Sequence, residues 1–316
     1  MLHILVLGSA AGGGVPQWNC TCDICQAARA GNGVTPRTQS SLAISANGAD
    51  WFLLNASPDL REQIAANRPL QPRSGNGRRH SPIVGAVLTN GDVDHVAGLL
   101  SLRESYPLAV YATRRVHAVL RANAIFNVLN PTLVARRELE LDRPTSLASP
   151  EGAPFGLTIE PFAVPGKVAL WLEDASAGAN FGSTAEDTVA LKVTDGATGE
   201  SFFYMPGCAQ LTPEVARRIR GAKLVFFDGT LWRDDEMILS GTGAKTGQRM
   251  GHISMSGPDG SMAAFEGLGV QRRIYIHINN TNPALRADSA QRKAAEARSE
   301  EHTSELQSRL HLVCRL

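Results

Sequence analysis

The run TNGDVDHVAGLL, residues 89–100, places Asp92, Asp94 and His95 within one turn of chain. Carboxylates beside an imidazole are a ligand set for zinc, iron or manganese. The competing reading is a helix start in which Asp92 or Asp94 caps and the others are solvated. Two further side chains stand at the ends of apolar runs: Asp228 in AKLVFFDGTLW and His277 in RRIYIHINNTNP. Strands of one sheet present their ends to a common rim, so polar residues ending several such runs can converge there. A second constellation is Cys20, Cys22 and Cys25, spaced C-x-C-x2-C after a glycine run. Three thiolates this close suit a soft metal, and a closed structural Zn2+ site requires one further ligand.

These residues need elements to hold them. Short runs rich in Val, Ile, Phe and Leu read as strands at Leu2–Leu7, Leu42–Ser45, Trp51–Leu54, Val84–Thr89, Ala109–Tyr111, Leu157–Val164, Val189–Val193, Phe202–Met205, Leu224–Phe227 and Ile274–Ile278. Helical patterns fall at Pro58–Ala66, His95–Ser105, Arg114–Leu129 and Pro213–Arg220, the last with Thr212 as N-cap and Pro213 at its first position. Hairpin-like pairs followed by strand–helix alternation in each half imply an α/β fold of layers αββα, two mixed sheets packed face to face with helices outside. TNGDVDHVAGLL then lies on a strand-to-helix loop at a sheet edge, where α/β folds place chemistry.

With 316 residues the chain is long enough for one large domain. A net charge of +1 and the lack of a basic tract argue against a nucleic-acid partner and point to a small molecule or peptide. MLHILVLG reads as a buried strand rather than a leader, and no stretch reaches the ~20 apolar residues of a membrane span. A cytoplasmic location is expected. The five cysteines are too few and too clustered for a disulfide framework, and a reducing compartment suits them as ligands. Two glycine-rich loops fail as nucleotide sites: LGSAAGGG runs into Pro16 and Trp18 rather than a helix, and GTGAKT lacks the Gly-Lys-Thr order of a phosphate loop.

The order of LGSAAGGGVPQWNCTCDIC, TNGDVDHVAGLL, FFYMPGCAQLTPEVA, LVFFDGTLW, GTGAKTGQRMGHISMSGPDGS and IHINNTNP resembles the pyrroloquinoline quinone (PQQ) biosynthesis protein B family, a divergent branch of the metallo-β-lactamase fold. The resemblance covers residues 1–297, read as one domain. The first part of residues 298–316 resembles a translated sequencing adapter, and the segment is read as a non-native tail, so His302, His311 and Cys314 carry no functional weight.

Measured against the dinuclear zinc hydrolases of that fold, Asn90 and Asp92 replace the first two histidines of the HxHxDH signature, and Pro165 lies near where a third would stand. The resemblance implies that Asp94, His95 and His277 hold a single ion, with Asp92 and Asp228 completing an oxygen-rich Fe(II) site that could also accept zinc. Two histidines and one carboxylate are the ligand types of non-haem iron oxygenases. It further implies iron- and O2-dependent hydroxylation of the tyrosine ring of a Glu–Tyr cross-linked, peptide-derived precursor. His252 matches a histidine kept near the substrate in related hydrolases, for acid/base work or substrate contact. Relatives in the superfamily complete the cysteine site with a histidine at the position of Asn280. The rival class is a carrier or transport protein for PQQ or its precursor, and a residual zinc hydrolase ranks below both.

Overall fold

In the computed structural model, residues 1–174, 176 and 182–297 are described, together with the backbone of 313–315. His302 and His311 lie outside the described residues, as does the side chain of Cys314. The first sheet runs β1 (His3–Gly8), β2 (Ser41–Ser45), β3 (Trp51–Leu54), β4 (Ile83–Val87), β5 (Leu108–Thr113) and β6 (Val134–Leu139) in spatial order. The second comprises β7 (Thr145–Ala148), β8 (Pro154–Ala163), β9 (Val189–Asp195), β10 (Ser201–Met205), β11 (Val225–Asp228) and β12 (Arg273–Ile276) in order β12-β11-β10-β9-β8-β7. A short strand, β13 (Val313–Arg315), adds to the free edge of β1.

Both sheets are mixed in the same way, with antiparallel strands on one side and parallel strands on the other: β3 through β6 are parallel, as are β10, β11 and β12. Alternation along each strand divides the apolar residues between two faces. Ile4 and Val6 of β1 join Phe202, Tyr204 and Phe226 between the sheets. Leu5 and Leu7 face outward against α2 (Leu60–Ala66) and α4 (Arg114–Ala122). Phe203, Met205 and Phe227 face the other way, toward α1 (Asp23–Arg29), α5 (Pro213–Ile219) and the last helix, Ala290–Ala297. Three apolar clusters separating four layers are the αββα sandwich expected from the sequence.

Two helical expectations need correction. His95–Ser105 is one short α-helix, α3 (Val93–Val96), continuing as a 3-10 segment at Ala97–Leu102, and α4 likewise gives way to 3-10 turns at Ala124–Val128. The reason in the first case is close docking. Gly98 lies so near the exit of β3 that a Cβ there would stand 2.2 Å from the Ser57 carbonyl oxygen. That approach lets the Ala56 N–H donate to the His95 carbonyl at 2.7 Å and the Gly98 N–H donate to the Ala56 carbonyl at 2.9 Å. The turn carrying His95 is thereby pinned to the neighbouring strand.

Candidate metal centre

The carboxyl ends of β4, β11 and β12 meet at one rim, and the candidate residues follow directly from them. Asp228 ends β11, and His277 is the first residue after β12. Asp228 and Ile276 pair in register, and the Gly229 N–H donates to the Ile276 carbonyl at 2.8 Å, which sets the two side chains side by side. His277 adopts a left-handed backbone, φ 56°. A non-glycine residue there is strained and needs its surroundings to hold it. Here the Thr230 hydroxyl lies 2.9 Å from the His277 carbonyl, and Ile278 exchanges backbone bonds with Ser9 and Ala11 at the end of β1.

Asp94, His95 and His277 each offer one ligand atom within 4.8 Å of the others. Asp94 Oδ2 lies 3.0 Å from His277 Nε2 and 3.9 Å from His95 Nε2. The remaining ring nitrogens are tied back. His95 Nδ1 is 2.7 Å from Asn90 Oδ1, an acceptor, so Nδ1 carries the proton and Nε2 is left with its lone pair. His277 Nδ1 is 2.9 Å from the Thr230 hydroxyl. His95 Nε2 is buried and has no hydrogen-bond partner among the described residues. An orphaned imidazole nitrogen facing a carboxylate and a second imidazole fits a cation, because the ion would satisfy it.

The electrostatics agree with that fit. Burial pushes the His95 imidazole down to about 4, against the pull of Asp94, so the ring is a neutral ligand. Burial raises the Asp94 carboxyl, but His95 and His277 outweigh it and hold the group well below the usual carboxylate range. His277 is raised, the hydrogen bond and charge of Asp94 overcoming its burial.

Asp92 and Asp228 are not brought into this set. Asp92 lines the same cavity but accepts from the Leu170 N–H at 3.3 Å, and it belongs to no ligand cluster among the described residues. It is the residue before α3, and its carboxylate makes no capping hydrogen bond to the following turn. Burial raises its carboxyl, with Lys167 opposing. Asp228, fully buried, instead groups with His252 and His277. Its Oδ2 is 2.6 Å from His252 Nδ1 and accepts from the Cys208 N–H at 2.8 Å, while Oδ1 accepts from the Thr230 N–H and hydroxyl at 3.0 and 2.7 Å. The His252 ring stacks on His277 with centroids 5.1 Å apart and lines the cavity.

The three cysteines also converge, their sulfurs within 4.8 Å of one another. The Cys22 and Gln17 N–H groups donate to Cys20 and Cys25 at 3.4 and 3.3 Å. Asn280 Nδ2 lies 3.2, 3.6 and 3.3 Å from the sulfurs of Cys20, Cys22 and Cys25. Asn280, the position at which the resemblance implied a histidine, thus stands beside all three sulfurs. Burial raises the Cys20 thiol, but the Cys22 N–H, its neighbouring thiols and the Asn280 amide lower it further, whereas at Cys22 burial prevails and pushes the thiol up to about 11. Cys208 stands apart, buried, its sulfur 3.2 Å from the Gln210 carbonyl.

Asn90 and Thr230, the partners of His95 Nδ1 and His277 Nδ1, are the site residues that sequence reading did not single out. Their only signal is position, Asn90 five residues before His95 and Thr230 two after Asp228.

An αββα sandwich with carboxylate–imidazole clusters at its strand ends has the metallo-β-lactamase architecture, and residues 50–278 match the model of the beta-lactamase superfamily domain. Within that superfamily the chain belongs to the coenzyme PQQ synthesis protein B family. It is 54% identical to "Coenzyme PQQ synthesis protein B" of Rhodopseudomonas palustris over 296 residues, 94% of this chain and 95% of that protein. The protein of the same name from Methylorubrum extorquens (strain PA1) is 51% identical over 298 residues, 94% and 96% of the two chains. The crystal structure of Zn2+-bound PqqB from Methylobacterium extorquens superposes with a TM-score of 0.89 at 48% identity, covering 99% of this chain and all of that one. A diphosphatase of the PhnP family shares the fold, with a TM-score of 0.61 at 20% identity over 90% of this chain and 89% of its own.

Proposed function

We propose that this protein is a mononuclear non-haem iron hydroxylase of PQQ biosynthesis, acting on the tyrosine ring of a Glu–Tyr cross-linked precursor. The observation that carries the reading is the set of two imidazoles and one carboxylate formed by Asp94, His95 and His277, in which the buried His95 Nε2 has no hydrogen-bond partner among the described residues, whereas in the second such set, Asp228, His252 and His277, the carboxylate is engaged by His252, Thr230 and the Cys208 N–H. Few protein ligands leave coordination positions for O2 and substrate, as in the two-histidine, one-carboxylate oxygenases. When bound there, Fe(II) would supply the activation of O2. The same donors accept zinc, and the similar protein from Methylobacterium extorquens has been solved in a Zn2+-bound form.

The residues around the set have distinct tasks in this reading. Asn90 and Thr230 hold the two imidazoles in the tautomer that presents Nε2. Asp228 accepts from His252 Nδ1, leaving Nε2 of that ring to take or return the phenolic proton of the substrate. One oxygen atom of O2 enters the ring as hydroxyl in place of hydrogen. The other leaves as water, with two electrons and two protons from an added reductant such as ascorbate. The thiol cluster is read as a structural zinc site, and free thiols suit the cytoplasm as the site of action.

The test is anaerobic loading with Fe(II), followed by O2 uptake and mass analysis of the cross-linked precursor. A product heavier by one oxygen atom is expected. Fe(II)-loaded protein that binds the precursor yet consumes no O2 overturns the hydroxylase, and tight binding of finished PQQ by metal-free protein would then favour the carrier.

A further inference from the structure

The loop that fails as a phosphate-binding motif delivers its lysine to the metal centre. Lys245, from GTGAKT, lines the cavity beside Asp94, His95 and His277. Three cations gather on this side: Lys167, Lys245 and Arg249. Glu173 pairs with two of them, at 3.5 Å to Lys167 Nζ and 2.6 Å to Arg249. Its carboxyl is held below the usual range, chiefly by Arg249, so it is ionised and already engaged. Lys167 also faces Asp92, whereas Lys245 acts on Glu173 only through its charge, with no hydrogen bond or close ion pair among the described residues.

The neighbouring wall is apolar and open. Trp171 is 43% exposed and Leu170 53%, and both line the cavity with Met237 and Met250. Large apolar side chains left uncovered around a recess mark a place for a ligand's apolar body, and an indole beside a cation suits a planar ring carrying a negative group. The cavity, about 390 Å3, has the size of a small-molecule site. Its lining thus combines carboxylate and imidazoles with an ammonium that makes no hydrogen bond among the described residues.

We propose that Lys245 is a specificity-determining residue of this cavity, pairing with a carboxylate of an aromatic substrate whose ring lies against Trp171 while its reacting edge faces the metal centre and His252. The proposal rests on the reading of that centre as the reactive site and names the substrate class as anionic aromatic.

The probes are 3-(4-hydroxyphenyl)propanoate and its neutral amide, titrated calorimetrically into metal-loaded protein. The intact protein should prefer the carboxylate by about tenfold or more, the scale of one hydrogen bond to a charged group. Lys245→Ala should abolish that preference, Lys245→Arg should keep most of it, and Lys245→Glu should invert it, all with metal content unchanged. Equal discrimination in Lys245→Ala, or no carboxylate preference in the intact protein, overturns the proposal. Failure of the hydroxylase reading looks different: the preference would depend on Lys245 while O2 uptake with the cross-linked precursor stayed absent.

Discussion

The thiol cluster and the imidazole–carboxylate cluster share one short segment, residues 277–280, yet differ in what fills the space beside their donors. Around the sulfurs that space is taken by the Asn280 side chain, 3.2–3.6 Å from all three. Beside Asp94, His95 and His277 it is a cavity. A soft, enclosed donor set holds an ion for folding, whereas hard donors on an open side hold one for reactivity. One loop thus carries His277 into the open site and Asn280 into the closed one.

Removing His277 should have the largest effect. His277→Ala leaves two donors of three, and we expect it to abolish metal binding at the open site and all turnover, while thermal stability changes little and the thiol site keeps its zinc. Metal analysis and a melting curve on the same sample decide this. Cys22→Ser should do the reverse, lowering zinc content and reducing Tm by about 5–10 °C, because the binding energy of a structural ion is folding energy. Folded Cys22→Ser protein should still take up Fe(II). If His277→Ala unfolds the protein and Cys22→Ser keeps its zinc, the two roles are assigned the wrong way round.

Asn90→Ala and Asn280→Ala probe the same contrast one step further out. Without Asn90, His95 loses the acceptor that fixes its tautomer, and Fe(II) affinity should fall by about 10–100-fold with the thiol site unaffected. Asn280 offers NH2 donors to the thiolates or, with the amide turned over, its oxygen to a cation. Asn280→Ala should weaken zinc retention in a chelator competition, and Asn280→His should restore or exceed it. Zinc retention in Asn280→Ala equal to that of the unaltered protein would remove Asn280 from the site.

What was legible in the sequence follows from physics that is local. Apolar runs at Trp51–Leu54 and Leu224–Phe227 became β3 and β11 within a residue or two, because strands buried on both faces show continuous apolar character. Thr212 caps α5 as read, its hydroxyl accepting from the Val215 N–H. β6, with sequence VARREL, was missed because an edge strand with half-buried Arg136 and Arg137 lacks that signature. Asp94, His95 and His277 were legible from the resemblance and from strand ends. The engagement of Asp228 with His252 was not, since it depends on how the β10–α5 loop packs: that loop brings the Cys208 N–H to the same carboxylate.

Asp92 is the sharpest separation of sequence pattern from geometry, and its expected effect is the smallest. It sits two residues from Asp94, and spacing alone makes the two carboxylates equivalent. The structure separates them: Asp94 Oδ2 lies between the two imidazoles, while Asp92 accepts from the Leu170 N–H and shares no ligand cluster among the described residues. Asn is close to isosteric with Asp and its carbonyl can still accept that N–H, so Asp92→Asn should change stability by no more than about 0.5 kcal/mol. Metal content should match the unaltered protein. Asp94→Asn removes the only charge among the described residues in contact with both imidazoles and should strip the ion. Measured side by side, equal metal loss in the two variants would place Asp92 among the ligands and make the site a four-donor centre.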